Sequence, residues 1–181
     1  LLLTRENGQD ISNIDTVRFP TKYDVSTLGY NFRINEINSS LGITQIRKTN
    51  RFISLKQKIA KRYFAELNLP EITMPDKKIL LLSALHLFII RINFKSLAID
   101  KFQLINILRK KNIIVNCHYI PLSKFSLIQK NIKKNKFINS DLFYNEAISI
   151  PMYPDLSYKK QTYFIKMLKK IIYKHRLSTN D

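Results

Sequence analysis

One helical repeat constrains this chain more than any other feature. Ile34, Ile37, Leu41 and Ile46 nearly share a stripe, and Phe52, Leu55, Ile59, Tyr63 and Leu67 follow at three- and four-residue steps. Asn35 is placed to cap the start and Pro70 to stop the repeat, with Gly42 and Asn50 as weak points inside it. A helix over residues 35–67 carries more apolar surface than a small domain can cover. Left bare, it would form a patch larger than soluble monomers usually tolerate, so it is expected to pack on something beyond its own neighbourhood.

The flanks differ in kind. Residues 1–28 hold no clear period and read as the end of a larger unit rather than a domain of their own. In residues 68–83, Pro70, Pro75 and Lys77-Lys78 break any repeat, which reads as a linker. Residues 84–181 read as a small α+β domain. Phe88, Ile90, Ile92 and Phe94 alternate as a strand, and Asp100-Lys101-Phe102-Gln103 opens a helix with a capping-box pattern. Lys110-Lys111 and Asn112 suit that helix's end. Ile113 to Tyr119 alternates as a second strand, ended by Pro121. A loop with some helix is expected over Lys124 to Lys136, a short helix over Asp141 to Glu146, and a strand over Ala147 to Ile150. Ser157 can cap a last helix whose pairs Tyr163-Phe164, Met167-Leu168 and Ile171-Ile172 form a wide apolar face. The β-α-β order permits a parallel right-handed unit. The short later connections and about three strands point instead to an α+β layer with helices on one face.

Composition closes several routes. Apolar runs such as Ile79 to Leu82 fall far short of the ~20 residues that span a bilayer, so no membrane partner is expected. Three Gly and the absence of a Gly-x-Gly-x-x-Gly or Gly-Lys-Ser/Thr pattern leave no dinucleotide or phosphate-loop fingerprint. One cysteine, Cys117, forbids an intramolecular disulfide and fits a cytoplasmic setting. Lys+Arg 31 against Asp+Glu 13 gives a net charge of +18, which a nucleic-acid binder would use. The basic residues are spread along the chain, however, and Lys dominates over Arg beside abundant Ile and Asn, as an AT-rich genome would produce. No nucleic acid is therefore expected as partner.

Few residues stand out as chemistry. His86, His118 and His175 are far apart and lack metal-ligand spacing to any Cys, Asp or Glu, so no metal site is expected. Cys117 and His118 are neighbours, but neighbours on a strand face opposite ways, which argues against a nucleophile–base dyad. Cys117 shares a face with Val115 and reads as core. His118 shares the other with Asn116, either a functional face or an ordinary half-exposed one. In Leu28-Gly29-Tyr30-Asn31-Phe32-Arg33 an amide and a guanidinium precede a helix start, which suits an anion seat or a simple capping loop.

Four segments in order resemble one family. Leu28-Gly29-Tyr30-Asn31-Phe32-Arg33 with Glu36-Ile37 and Leu41-Gly42-Ile43-Thr44-Gln45-Ile46 comes first. His86 to Arg91 and Cys117-His118-Tyr119-Ile120-Pro121-Leu122 follow, and Ala147-Ile148-Ser149-Ile150-Pro151-Met152-Tyr153-Pro154 closes the series. Together they resemble the DegT/DnrJ/EryC1/StrS family of sugar aminotransferases dependent on pyridoxal 5'-phosphate (PLP), most of all the branch acting in pseudaminic acid biosynthesis. The resemblance implies an α/β chain of the aspartate-aminotransferase-like fold type I. Residues 1–34 would end the large PLP domain, 35–67 would be the connecting helix, 68–83 the linker and 84–181 the small domain. It implies a homodimer, a UDP-linked 4-keto-6-deoxy sugar as substrate, and glutamate as amino donor. No catalytic residue is assigned, because the family's Schiff-base lysine lies upstream of the matched segments. Asn31 and Arg33 are implied at the cofactor phosphate, and Asn31, Asn116, Cys117, His118 and Tyr119 at the sugar. Leu122-Ser123 stands where the family often carries another His. Two other readings remain: an inactive truncated or decayed fragment of such an enzyme, and a basic nucleic-acid-binding module, which leaves the four segments unexplained.

Overall fold

A computed structural model describes residues 9–10, 24–130 and 137–177. The chain divides into two compact units, residues 1–49 and 50–181.

In the first unit, β1 (Gln9–Asp10) pairs antiparallel with β2 (Asp24–Val25). A loop then leads into helix α1 (Glu36–Glu66). Asn35 caps it as the sequence suggests: its Oδ1 accepts the Asn38 N–H at 2.9 Å, and Glu36 sits in the first turn. The helix runs without a break through Gly42 and Asn50. Leu28 is 94% exposed and Ile37 82%, and Leu41, Ile43 and Ile46 are also exposed. The early half of α1 therefore leaves its apolar residues bare, in line with the surplus read from the repeat.

A Cβ built on Gly42 meets no atom within 4 Å. Gly42→Ala is thus expected to stabilise this half of the helix by about 0.5–1 kcal/mol, through helix propensity and a less free unfolded chain. Slower amide exchange around residue 42 would confirm it, and faster exchange would contradict it.

The second unit is built on a three-stranded antiparallel sheet in the order β3-β4-β5, with β3 at Ile72–Thr73, β4 at Phe88–Ile92 and β5 at Ala147–Ile150. Ile72 lies opposite Ile92, and Phe88 opposite Ile150. Phe88, Ile90 and Ile92 point into the core, as their alternation requires. Ile59, Ala60 and Tyr63 of α1, and Leu67 just past its end, join that core. So do Leu104 and Leu108 of α3 (Lys101–Arg109) and Phe164, Ile165, Leu168, Ile171 and Ile172 of α6 (Tyr158–His175). Asp100 and Gln103 complete the capping box, each side chain accepting the other's backbone N–H at 2.8 Å. Asn112 adopts φ 56° beyond α3, the left-handed stop that asparagine tolerates. Ser157 caps α6 through the Lys160 N–H at 3.3 Å. Short helices α2 (Lys77–Leu81), α4 (Ser126–Gln129) and α5 (Ile138–Glu146) fill the connections. The rest of the loop expected to Lys136 lies outside the described residues.

Three expectations change. The sheet has no parallel pair, so the β-α-β option falls. Residues 68–83 do more than link: β3 pairs with β4, and Leu69, Glu71 and Ile72 are buried. The strand expected over residues 113–119 shrinks to one bridge, Asn116 with Ser149, closed by hydrogen bonds of 3.1 and 2.7 Å. An antiparallel ladder would next pair Ile114 with Pro151 and His118 with Ala147. Pro151 has no N–H to give, and the Ala147 N–H already donates to the Phe143 carbonyl at the end of α5.

Tyr63 ties α1 to the turn after β5, its hydroxyl donating to the Pro151 carbonyl at 2.7 Å. Burial, and next the neighbouring Tyr153, push its phenol far above the usual 10.0, while Arg62 pulls the other way. Above pH 10 the unfolded chain sheds this proton and the folded one keeps it, so stability falls as pH rises. Tyr63→Phe should lose about 1–3 kcal/mol at neutral pH, because it orphans a carbonyl, and should flatten the alkaline decline. Urea midpoints across pH measure both. An equally steep decline in Tyr63→Phe would contradict the assignment.

Candidate functional site

The segment implied at the sugar hangs on β5. The Asn116 bridge fixes its register, and the buried Ser149 then presents its hydroxyl to His118, with Oγ 2.6 Å from Nδ1. One ring nitrogen is thereby engaged and the ring held, which leaves Nε2 as the atom that can give or take a proton outside the pair. Tyr119 packs edge-on against this imidazole with ring centroids 4.7 Å apart, yet is itself 76% exposed. An exposed aromatic beside a held imidazole offers a stacking face and a proton-handling group side by side. Asn116 is exposed too.

Cys117 is half-buried rather than core. Its thiol meets the ammonium of Lys101, a group that sequence reasoning missed. Lys101 is only 4% exposed. Its ammonium donates to the Tyr144 carbonyl and lies 3.8 Å from the centroid of the Tyr144 ring and 5.2 Å from that of Phe102. Burial lowers its pKa from 10.5, and the Cys117 thiol pulls the other way. No carboxylate pairs with it among the described residues. Lys124, 5.1 Å from the same tyrosine ring, is paired with Asp141 at 3.1 Å. Lys101 therefore bolts residues 116–119 to α5. Lysine at the first helical position after a capping box is ordinarily a solvent residue, so nothing local marked it as buried.

The other implied residues, Asn31 and Arg33, lie in the first unit. Tyr30 and Phe32 stack with centroids 4.8 Å apart and planes 6° from parallel. Alternate residues of an extended stretch share a side, so this stack leaves Asn31 and Arg33 to the other. Both are exposed. The Arg33 guanidinium has no carboxylate partner among the described residues. An amide and a free guanidinium, both hydrogen-bond donors, form a donor set that fits a phosphate.

Among the described residues, no helix is long and apolar enough to cross a membrane, and no three His, Cys, Asp or Glu side chains gather as metal ligands.

The model of the DegT/DnrJ/EryC1/StrS aminotransferase family matches residues 9–169. An uncharacterised protein of Methanocaldococcus jannaschii is 31% identical over 157 residues, 85% of this chain and 41% of that protein. The UDP-4-amino-4,6-dideoxy-N-acetyl-beta-L-altrosamine transaminase of Campylobacter jejuni is 30% identical over 155 residues, 83% of this chain and 40% of the enzyme. Among solved structures, Helicobacter pylori PseC, an aminotransferase involved in pseudaminic acid biosynthesis, shares the fold with a TM-score of 0.73 at 24% identity. It covers 96% of this chain and is itself covered to 45%. The chain thus spans less than half the length of each of these three relatives.

Proposed function

The chain belongs to the DegT/DnrJ/EryC1/StrS aminotransferase family, and we propose from that premise that it forms the C-terminal part of an enzyme aminating the C4 ketone of a UDP-linked 4-keto-6-deoxy sugar. Residues 1–34 end the large domain, 35–67 connect, and 84–181 form the small domain, whose sheet takes in β3 from the 68–83 link. The enzyme is a homodimer and takes its amino group from glutamate. The reading is supported above all by the likeness to the Campylobacter transaminase over 83% of this chain. The family model, over residues 9–169, takes in both Asn31 and His118.

Aminotransferases of this family depend on PLP, which when bound supplies the electron sink for amino transfer. This chain's residues bind and orient. Asn31 and Arg33 donate to the cofactor phosphate. Asn116, Cys117, His118 and Tyr119 form one wall for the sugar nucleotide. Within that wall Tyr119 offers its ring, His118 handles a proton at Nε2, and the Cys117 thiol meets Lys101, which keeps the segment in place.

Asn31→Ala in the complete enzyme should weaken PLP binding about tenfold, the loss of one hydrogen bond to an anion, without moving the melting temperature of the apoprotein. Asn31 is an exposed loop residue that the fold does not need. Unchanged PLP affinity together with an unchanged Michaelis constant for the sugar would refute its role.

A further inference from the structure

A cavity of about 800 Å³ opens beside Ile114, at the end of the 112–119 segment away from His118. Its size falls within the range of small-molecule sites. The core supplies its floor: Ile113, Leu156 and Phe164 line it and are buried. Two rings stand at its rim, Tyr153 from the turn after β5 and Tyr163 from α6, both exposed by more than a third. Neither phenol hydroxyl has a hydrogen-bond partner among the described residues. Lys159 and Lys160, in the first turn of α6, also line it. Both are exposed and neither forms an ion pair among the described residues. The lining contains no acid.

We propose that this cavity binds a planar aromatic ring carrying an anionic group. The apolar floor and the two tyrosine rings take the ring, and the two ammonium groups take the charge. A neutral ring leaves both lysines unanswered, and a bare anion leaves the floor wet, so each alone binds weakly. A nucleoside phosphate and an aromatic carboxylate both carry this chemistry. The site involves residues of the second unit only and does not depend on the aminotransferase reading.

The test is an NMR titration of the 181-residue chain with AMP, adenosine, benzoate and inorganic phosphate. AMP or benzoate should bind saturably and shift signals of Tyr153, Tyr163 and Ile114, and the tighter of the two identifies the source. Adenosine and inorganic phosphate should each bind at least about tenfold more weakly than AMP. Lys159→Ala/Lys160→Ala should weaken the anionic ligand about tenfold or more and leave adenosine unchanged, while Tyr163→Ala should weaken both. His118→Ala should change none of these. The proposal is overturned if neither AMP nor benzoate saturates, or if their binding survives both the double lysine variant and Tyr163→Ala.

Discussion

His118→Ala in the complete enzyme is expected to slow amino transfer to the nucleotide sugar by about 10²-fold or more, the usual range for a proton-handling group. The half-reaction with the amino donor should run at nearly its normal rate. The asymmetry follows from where the imidazole sits. Its Nδ1 is engaged by the Ser149 hydroxyl at 2.6 Å, which leaves Nε2 as the atom that can serve the sugar in the wall we propose for residues 116–119. In the proposed function the amino donor does not use that wall. Single-turnover measurements of the two half-reactions separate the outcomes. Equal losses in both would mean that His118 only holds the fold. Ser149→Ala should reproduce part of the defect, because it frees the ring to turn.

Phe88→Ala should cost about 3–5 kcal/mol, the range for emptying a buried aromatic site. That is a large part of the ~5–15 kcal/mol a domain has to lose. Phe88 is fully buried at the start of β4. Its ring packs edge-on against Tyr63 at 5.2 Å and Phe64 at 5.4 Å, so a single side chain joins the sheet to α1. Both partners belong to one helix and the pocket cannot collapse without moving it. Urea denaturation measures the loss. A change below about 1 kcal/mol would mean that α1 repacks freely, against the dense core described.

Local signals in the sequence survived into the structure where the physics is local. Asn35, the Asp100–Gln103 box, Asn112 and Ser157 act within three or four residues, and each does what its type suggests. The period-two pattern of Phe88, Ile90 and Ile92 and the apolar face of α6 were legible for the same reason. Non-local choices were not. Whether residues 113–119 pair as a strand depended on Pro151 and on the Ala147 N–H, both far along the chain. β3 is two residues long and lies between prolines, too brief to show a period. At the site, the resemblance singled out His118, but neither its hydroxyl partner nor the burial of Lys101 could be read. Both depend on which element packs on which.

The proposed function is amino transfer to a sugar ketone by an enzyme of which this chain would form the C-terminal part. The most direct measurement incubates the complete gene product with PLP, glutamate and a UDP-linked 4-keto-6-deoxy sugar, and follows the sugar by mass spectrometry. The account predicts replacement of the ketone oxygen by an amine, dependent on PLP. It also predicts that borohydride reduction of the PLP-loaded protein labels a lysine upstream of Leu1 and none within this chain. A PLP-loaded protein that leaves the sugar unchanged, or a stoichiometric label on a lysine among residues 1–181, would contradict it.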